Sequence, residues 1–450
     1  MMMFALMLSA QADPCGMVPP IPVGVKIPTL ERTGAQRTYV MHKDVPGIGG
    51  VETMVLRPGF VGDVDEFGML IPFPSAPAIR KIDDDTFAHL EAAVDPPEVN
   101  VHLYEPYLYD MEMSVADDAD FAPSVARRER VREEPLRLDE VRVVNQEAVG
   151  MYEVAVLEAG SPKALAGWMA DNEYKYPDGM SDVVQDYVDI RWFFVAVKAK
   201  VGAAAGADPR PGMRRASTDR PEGSSFDGHV QGMGFRFVSD DPVVPMRLSV
   251  FNGEDPRNVV YLLSDDPLKI DDVPASLVVR QLDGEQVYAN LTEPLPVKYH
   301  NGSRKDLSKQ NQDHVDTLRD PAPFSHIARD LIASDLLATR HARGGELSLA
   351  FEEEEKELLR ISESFALRGA EIDAMHAVEL AAQKAEAVAG ALDDVKEMHL
   401  TVLDGVFPQQ VLARQNLTFS PYRMPAKKNV RREDALRPVA AAVSLPKERW

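Results

Sequence analysis

Between Thr38 and Phe73 short apolar runs alternate with glycine and proline: Tyr39-Val40-Met41, then Val51 to Leu56, then Phe67 to Ile71 ending at Pro72-Phe73-Pro74. This punctuation predicts a β-meander. The charged stretch from Asp110 to Arg142 lacks such a pattern and reads as a solvated connector. Met151 to Leu157 predicts a strand, and Ser161 followed by Pro162 predicts a helix start, with Leu165, Trp168 and Met169 on one face and a stop near Asn172. Tyr187 to Val201 is the most β-prone segment and predicts a central strand. The helix after Ser161 is expected to cover that sheet, placing Trp168 and Phe194 against each other's elements. Gly202 to Ser225 has no period and reads as a loop insertion, after which Gly234–Val238, Met246–Phe251 and Val259–Leu263 predict three further strands.

From Glu346 the period changes. Glu352 to Glu355 lead into Leu358, Ile361 and Phe365, Gly369 interrupts, and Ile372, Met375, Val378, Ala382, Ala385, Val388, Leu392 and Val395 continue at three- and four-residue steps. Two amphipathic helices folded as a hairpin are predicted, the glutamates solvating a helical N-terminus. The expected fold is therefore α+β: a β-rich domain over 13–341, with connector 110–142, insertion 202–225 and a short packed helix, then a helical extension over 342–424. The stretch 425–450, basic at its start, reads as a mobile tail.

The chain has 450 residues, 45% of them hydrophobic, which suits two or three globular domains, and its 34 Pro and 28 Gly argue against a long helical rod. With 72 acidic and 49 basic side chains the net charge is −23, so nucleic acid is excluded as a general partner. Met1 to Ala10 is apolar, and Ala10-Gln11-Ala12 offers a signal-peptidase pattern, so residues 1–12 read as a signal peptide and the protein as periplasmic or secreted. After that run there is no apolar stretch long enough for a membrane span. Asp13-Pro14 ahead of Cys15 argues against lipidation, and one cysteine forms no internal disulfide. The sequons at Asn290, Asn301 and Asn416 are of a number that chance produces.

Motifs that carry chemistry are missing in their familiar forms: there is no H-E-x-x-H, C-x-x-C, G-x-S-x-G, P-loop or G-x-G-x-x-G. Gly47-Ile48-Gly49-Gly50 precedes a strand and reads as a hairpin turn instead of a phosphate cradle. Of the ten histidines (His42, His89, His102, His229, His300, His314, His326, His341, His376, His399), none pairs with another at metal-ligand spacing. Cys15 has no local histidine to activate it. The acids Asp63, Asp65 and Glu66, and Asp83 to Asp85, do not match a calcium loop and read as solvated turns. Trp168, Trp192 and Tyr152 fall on apolar faces and read as core. Ser239-Asp240-Asp241-Pro242 and Ser264-Asp265-Asp266-Pro267 read as turns that end strands, with a paired cation site as the sharper alternative. The sequence thus assigns no catalytic residue, no cofactor and no metal.

One combination of segments is nevertheless distinctive. Val149 to Leu157, Ala164-Leu165 with Trp168, Tyr176-Pro177, Tyr187-Val188 and Phe194 to Lys198 together resemble the bacterial domain-of-unknown-function family DUF2330. Cys15-Gly16, Phe67 to Pro74 and Phe237 to Leu248 extend the resemblance over roughly residues 15–267. It implies export, a β-rich α+β domain and no established activity. The resulting expectation is a non-catalytic extracytoplasmic binding or envelope-associated module, its C-terminal helices offering a surface to a protein partner. The alternative is a secreted hydrolase whose carboxylates and histidines assemble from different strands.

Overall fold

The computed structural model describes residues 30–31, 36–57, 61–62, 66–83, 85–105, 137–149, 152–200, 214–215, 232–252, 255–271, 277–341, 382, 385–425 and 438–448. Strands β1 (Gln36–Val45) and β2 (Gly49–Arg57) form a hairpin whose turn places Gly47 and Gly49 at φ of 85° and 104°, which glycine adopts without strain. Then come β3 (Glu66–Phe73), β4 (Ala78–Lys81), α1 (Thr86–Val94) and β5 (Glu98–Tyr104). Next are β6 (Val141–Val149), β7 (Tyr152–Ala159), α2 (Pro162–Asp171), α3 (Met180–Asp189) and β8 (Phe193–Lys200). The chain continues with β9 (Met233–Val238), β10 (Arg257–Ser264), β11 (Val278–Asp283), α4 (Gly284–Thr292), β12 (Val297–His300), α5 (Lys309–Thr317) and α6 (Ala322–His341). Strands β13 (His399–Val406) and β14 (Val439–Pro446) complete the elements used below.

Two sheets form the body. The larger has the order β11-β13-β10-β1-β2-β9-β4, antiparallel except where β10 runs beside β1. The smaller joins β6-β7-β8-β3, antiparallel along these four, with Arg214–Arg215 running parallel beside β6. Residues alternating along each strand send one set into a shared core, where Val40, Met54 and Leu56 of the larger sheet meet Ile71, Val156 and Val195 of the smaller. The opposite set, including Tyr39, Met41, Val55 and Leu263, packs under α1, α4, α6 and the helical segment reaching Val395. Leu70, Leu157, Phe194 and Ala196 lie beneath α2 and α3. Four layers result, helices outside and two sheets within. Where the sheets are covered on both faces, as at β7 and β8, the strands read as nearly continuous apolar runs. A third, parallel sheet, β12-β5-β14, packs Val99, Val101 and Leu103 with Leu307 and Val315.

The α+β class stands, and the Ser161 cap is present: its Oγ accepts from Ala164 N at 3.1 Å, and α2 ends at Asn172. Trp168 is half-buried and stacks on Tyr174 with ring centroids 5.8 Å apart, while Leu165 and Met169 occupy the core with Phe194. Four expectations need correction. Tyr187 to Arg191 is not strand, because Met180, Val184 and Tyr187 form the buried stripe of α3, and Arg191 at φ 59° ends it before β8 begins. Met246–Phe251 is not strand either; Pro245 precedes a 3-10 turn over Arg247–Asn252. The region 342–424 is not a separate helical extension, since β13 pairs with β10 and β11 inside the larger sheet, and Leu392 and Val395 are buried with that sheet's residues. The tail is not wholly loose, because β14 pairs with β5. Connector residues 106–136, most of insertion 202–225 and the proposed hairpin residues Leu358 to Val378 lie outside the described residues.

Candidate binding cleft

An open cleft of about 560 Å³ lies where β11, the outer strand of the larger sheet, turns into α4. Its walls are the end of α1 with Asp95 and Pro96, strand residues Arg280 to Asp283, the outer face of α4, and Pro294 to Pro296. Arg280 Nη1 crosses from the strand to donate to Asp95 Oδ2 at 2.5 Å. Asn290 Nδ2 donates to the carbonyl of Ala93 at 2.8 Å and so ties α4 to the α1 terminus. Gln281 is anchored from behind: its Nε2 donates to the Leu268 and Tyr422 carbonyls, and its Oε1 accepts from Met424 N. Gln286, Asn290 and Glu293 bring further polar groups to the same space. Such a concavity, polar groups converging between fixed elements, suits a small polar ligand.

Asp283 at the rim lies 3.4 Å from His399 Nδ1, and Arg423 approaches the same carboxylate at 3.7 Å. Strand register sets Asp283 opposite His399, and His399 opposite Ser264, so an acid, an imidazole and a hydroxyl stand in one cross-strand row. A nucleophilic serine needs its hydroxyl on the imidazole. Ser264 Oγ instead donates to the carbonyl of Asp266 at 2.8 Å, and Ser239 Oγ makes the same bond to Asp241 at 2.7 Å. The two Ser-Asp-Asp-Pro segments are therefore turns closed by their own serines, and Lys43 pairs with Asp265 at 2.8 Å. Among the described residues no group of three or more His, Cys, Asp or Glu is placed to hold a metal.

The histidines are not scattered in space. His102 stacks on His300 with centroids 4.3 Å apart, and His89 meets His326 edge to face at 4.8 Å. His42 is buried with Nε2 3.0 Å from the Ser239 carbonyl, and His314 is exposed. Cys15, Asp63, Asp65, Asp84, His229 and His376, and the side chains of Glu66 and His341, lie outside the description. Asp83 Oδ1 accepts from Asp85 N in a turn, Tyr152 is core, and Trp192 is half-buried against Tyr187.

Two polar groups missed by sequence reasoning lie deep inside. Under α6, Arg236 Nη2 donates to Asp335 Oδ1 at 2.8 Å, Thr53 Oγ1 donates to the same oxygen at 3.2 Å, and Arg80 approaches it at 3.7 Å. Burial pushes the Arg236 guanidinium down to about 10 despite the pull of Asp335. Tyr39 is raised by burial and then by Asp335. In the core between the sheets, Glu52 Oε2 accepts from Val243 N at 2.9 Å, and burial holds its carboxyl well above the usual range. Arg236 gave a sequence signal, a charge at mid-strand in Met233-Gly-Phe-Arg-Phe-Val238, but its partner lies on a distant helix.

A family model described as an uncharacterised protein conserved in bacteria (DUF2330) matches residues 32–278. No curated protein matches the chain. Two solved structures of baculovirus P35, one a mutant after caspase cleavage, align at 10% identity over 55% and 57% of this chain and 76% of theirs. Their TM-score of 0.22 is too low to carry any argument about fold.

Proposed function

We propose, from the premise that this chain belongs to the DUF2330 family of uncharacterised proteins conserved in bacteria, that it is a non-catalytic extracytoplasmic module that binds a small polar ligand in the β11–α4 cleft. The observation that carries this reading is the convergence of Arg280, Asp95, Gln286, Asn290 and Glu293 on one space of about 560 Å³. The backbone around it is held by Asn290 and Gln281, so the site exists before a ligand arrives, which lowers the ordering cost of binding. Export rests on Met1 to Ala12, whose apolar run ends in a small-x-small pattern. Among the described residues no helix is long and apolar enough to cross a membrane.

Thermal-shift screening of the mature protein against metals, sugars and peptides tests the cleft, because a ligand of the native state raises its melting temperature. A ligand whose shift disappears in Arg280→Ala supports the reading. Hits that survive both Arg280→Ala and Glu293→Gln would move the site elsewhere. The contact of Asp283 with His399 at the rim favours one second reading, a hydrolase, and turnover of a bound compound that is lost in His399→Gln would establish it. N-terminal sequencing of protein recovered from the native host tests export, the expected start being at or near Asp13.

A further inference from the structure

The parallel sheet β12-β5-β14 buries one face on α5 and leaves the other to solvent. On that outer face, register places His300 of β12 directly opposite His102 of β5, with Ser444 of β14 on the far side of His102. The two rings lie parallel within 6° at a centroid distance of 4.3 Å. His300 Nε2 is 3.0 Å from Asn100 Oδ1. With the amide oxygen of Asn100 facing the ring, the tautomer that satisfies this contact has its proton on Nε2 and its lone pair on Nδ1. This is the arrangement that orients metal-binding histidines elsewhere: one ring nitrogen fixed by an oxygen acceptor, the other left for the metal. His102 is exposed.

The geometry points to a two-histidine site for a divalent transition-metal ion, Cu²⁺ or Zn²⁺, with water completing the coordination. Metal–nitrogen bonds of about 2.0–2.1 Å need the two ligating nitrogens roughly 3 Å apart. In the parallel stack the in-plane lone pairs do not converge, so binding requires both rings to turn about their Cβ–Cγ bonds until the two nitrogens face one ion, a rearrangement of side chains on directly opposed strand positions. Imidazole suits both ions, and Cu²⁺ binds the more tightly in the general order of divalent affinities. Glu98 and Lys298 bring opposite charges to the same face, and the net charge of −23 draws cations to the protein as a whole. The bound ion would tie β5 to β12, two segments from opposite halves of the chain, so occupancy stabilises the parallel sheet. This inference is independent of the cleft, which lies on other elements.

The test uses the full chain, freed of metal by chelator and titrated with Cu²⁺ or Zn²⁺ alone by calorimetry, with electron paramagnetic resonance on the Cu²⁺ form. Wild type is expected to show one tight equivalent with two nitrogen ligands, and Zn²⁺ to raise its melting temperature. His102→Ala and His300→Ala should each lose that equivalent and the thermal shift, Asn100→Ala should weaken it by about tenfold, and His314→Ala should behave as wild type. Circular dichroism confirms that each variant folds. Equal affinity in wild type and both histidine variants, or a spectrum with one nitrogen ligand, would overturn the assignment.

Discussion

Removing the carboxylate of Asp335 strands a guanidinium that has nowhere to go. Arg236 and Asp335 side chains are 1% and 0% exposed, on β9, one strand in from the sheet edge, and on α6 above it. Even with Asp335 in place, burial holds the Arg236 guanidinium down at about 10, so the loss of water outweighs the pull of its partner. The buried guanidinium is thus tolerated because Asp335 faces it. Asp335→Asn keeps the volume, weakens the bonds from Arg236 and Thr53, and should cost about 3–5 kcal/mol, the range for breaking a buried pair. Replacing both partners, Arg236→Met with Asp335→Leu, should cost under about 1 kcal/mol or stabilise, because no charge is then left out of water. Urea unfolding with unchanged slope measures each value. An Asp335→Asn loss under about 1 kcal/mol would mean that water reaches Arg236, and the double variant behaving as badly as the single one would show that shape, not charge, dominates.

Burial and then His326 hold the His89 imidazole below its ordinary value. The folded state therefore binds fewer protons, so its contribution to stability is full above about pH 6.5 and declines as pH falls through the lowered value; His89→Gln should flatten the urea midpoint between pH 8 and 5. Ser161→Ala removes the α2 cap and should cost about 1 kcal/mol in the same assay, a null effect showing that Pro162 alone starts the helix. Gly50→Ala drives a methyl group into the Ser239 carbonyl and to 2.6 Å from His42 Nε2, and should destabilise by about 1–3 kcal/mol. A chain ending at His341 loses β13 from between β10 and β11, so size-exclusion chromatography should find aggregate; a soluble, cooperatively folding monomer would refute the sheet order.

What the sequence made legible was local. Ser161-Pro162 announced α2, and the β-branched and aromatic runs announced β7, β8, β9 and β10, because caps and apolar strands depend on neighbours in the chain. Tyr187 misled because its side chain serves a helical stripe while its successors open a strand, and a run of aromatic and β-branched residues does not reveal where one period yields to the other. The placement of β13 was out of reach: His399 to Val406 is assigned to the sheet by partners far away in sequence. The same holds for every polar cluster. Spacing along the chain showed no histidine pair, yet strand register and helix packing made two. Arg280 and Asp95, which define the cleft, meet only because α1 ends beside the outer strand.

The parallel contact of β14 with β5 has a consequence in time. Synthesis at about 5–20 residues per second puts β14 roughly 20–70 seconds behind β5, a delay during which β5 has formed at most one of its two pairings. Contacts of such long range also slow the folding search itself, since the loop they close must be ordered before they contribute. The third sheet therefore stays incomplete until Val439–Pro446 has been made. Under the export proposed above, that lateness would suit a chain that crosses a membrane unfolded, because the last pairing of β5 waits for a segment more than three hundred residues downstream.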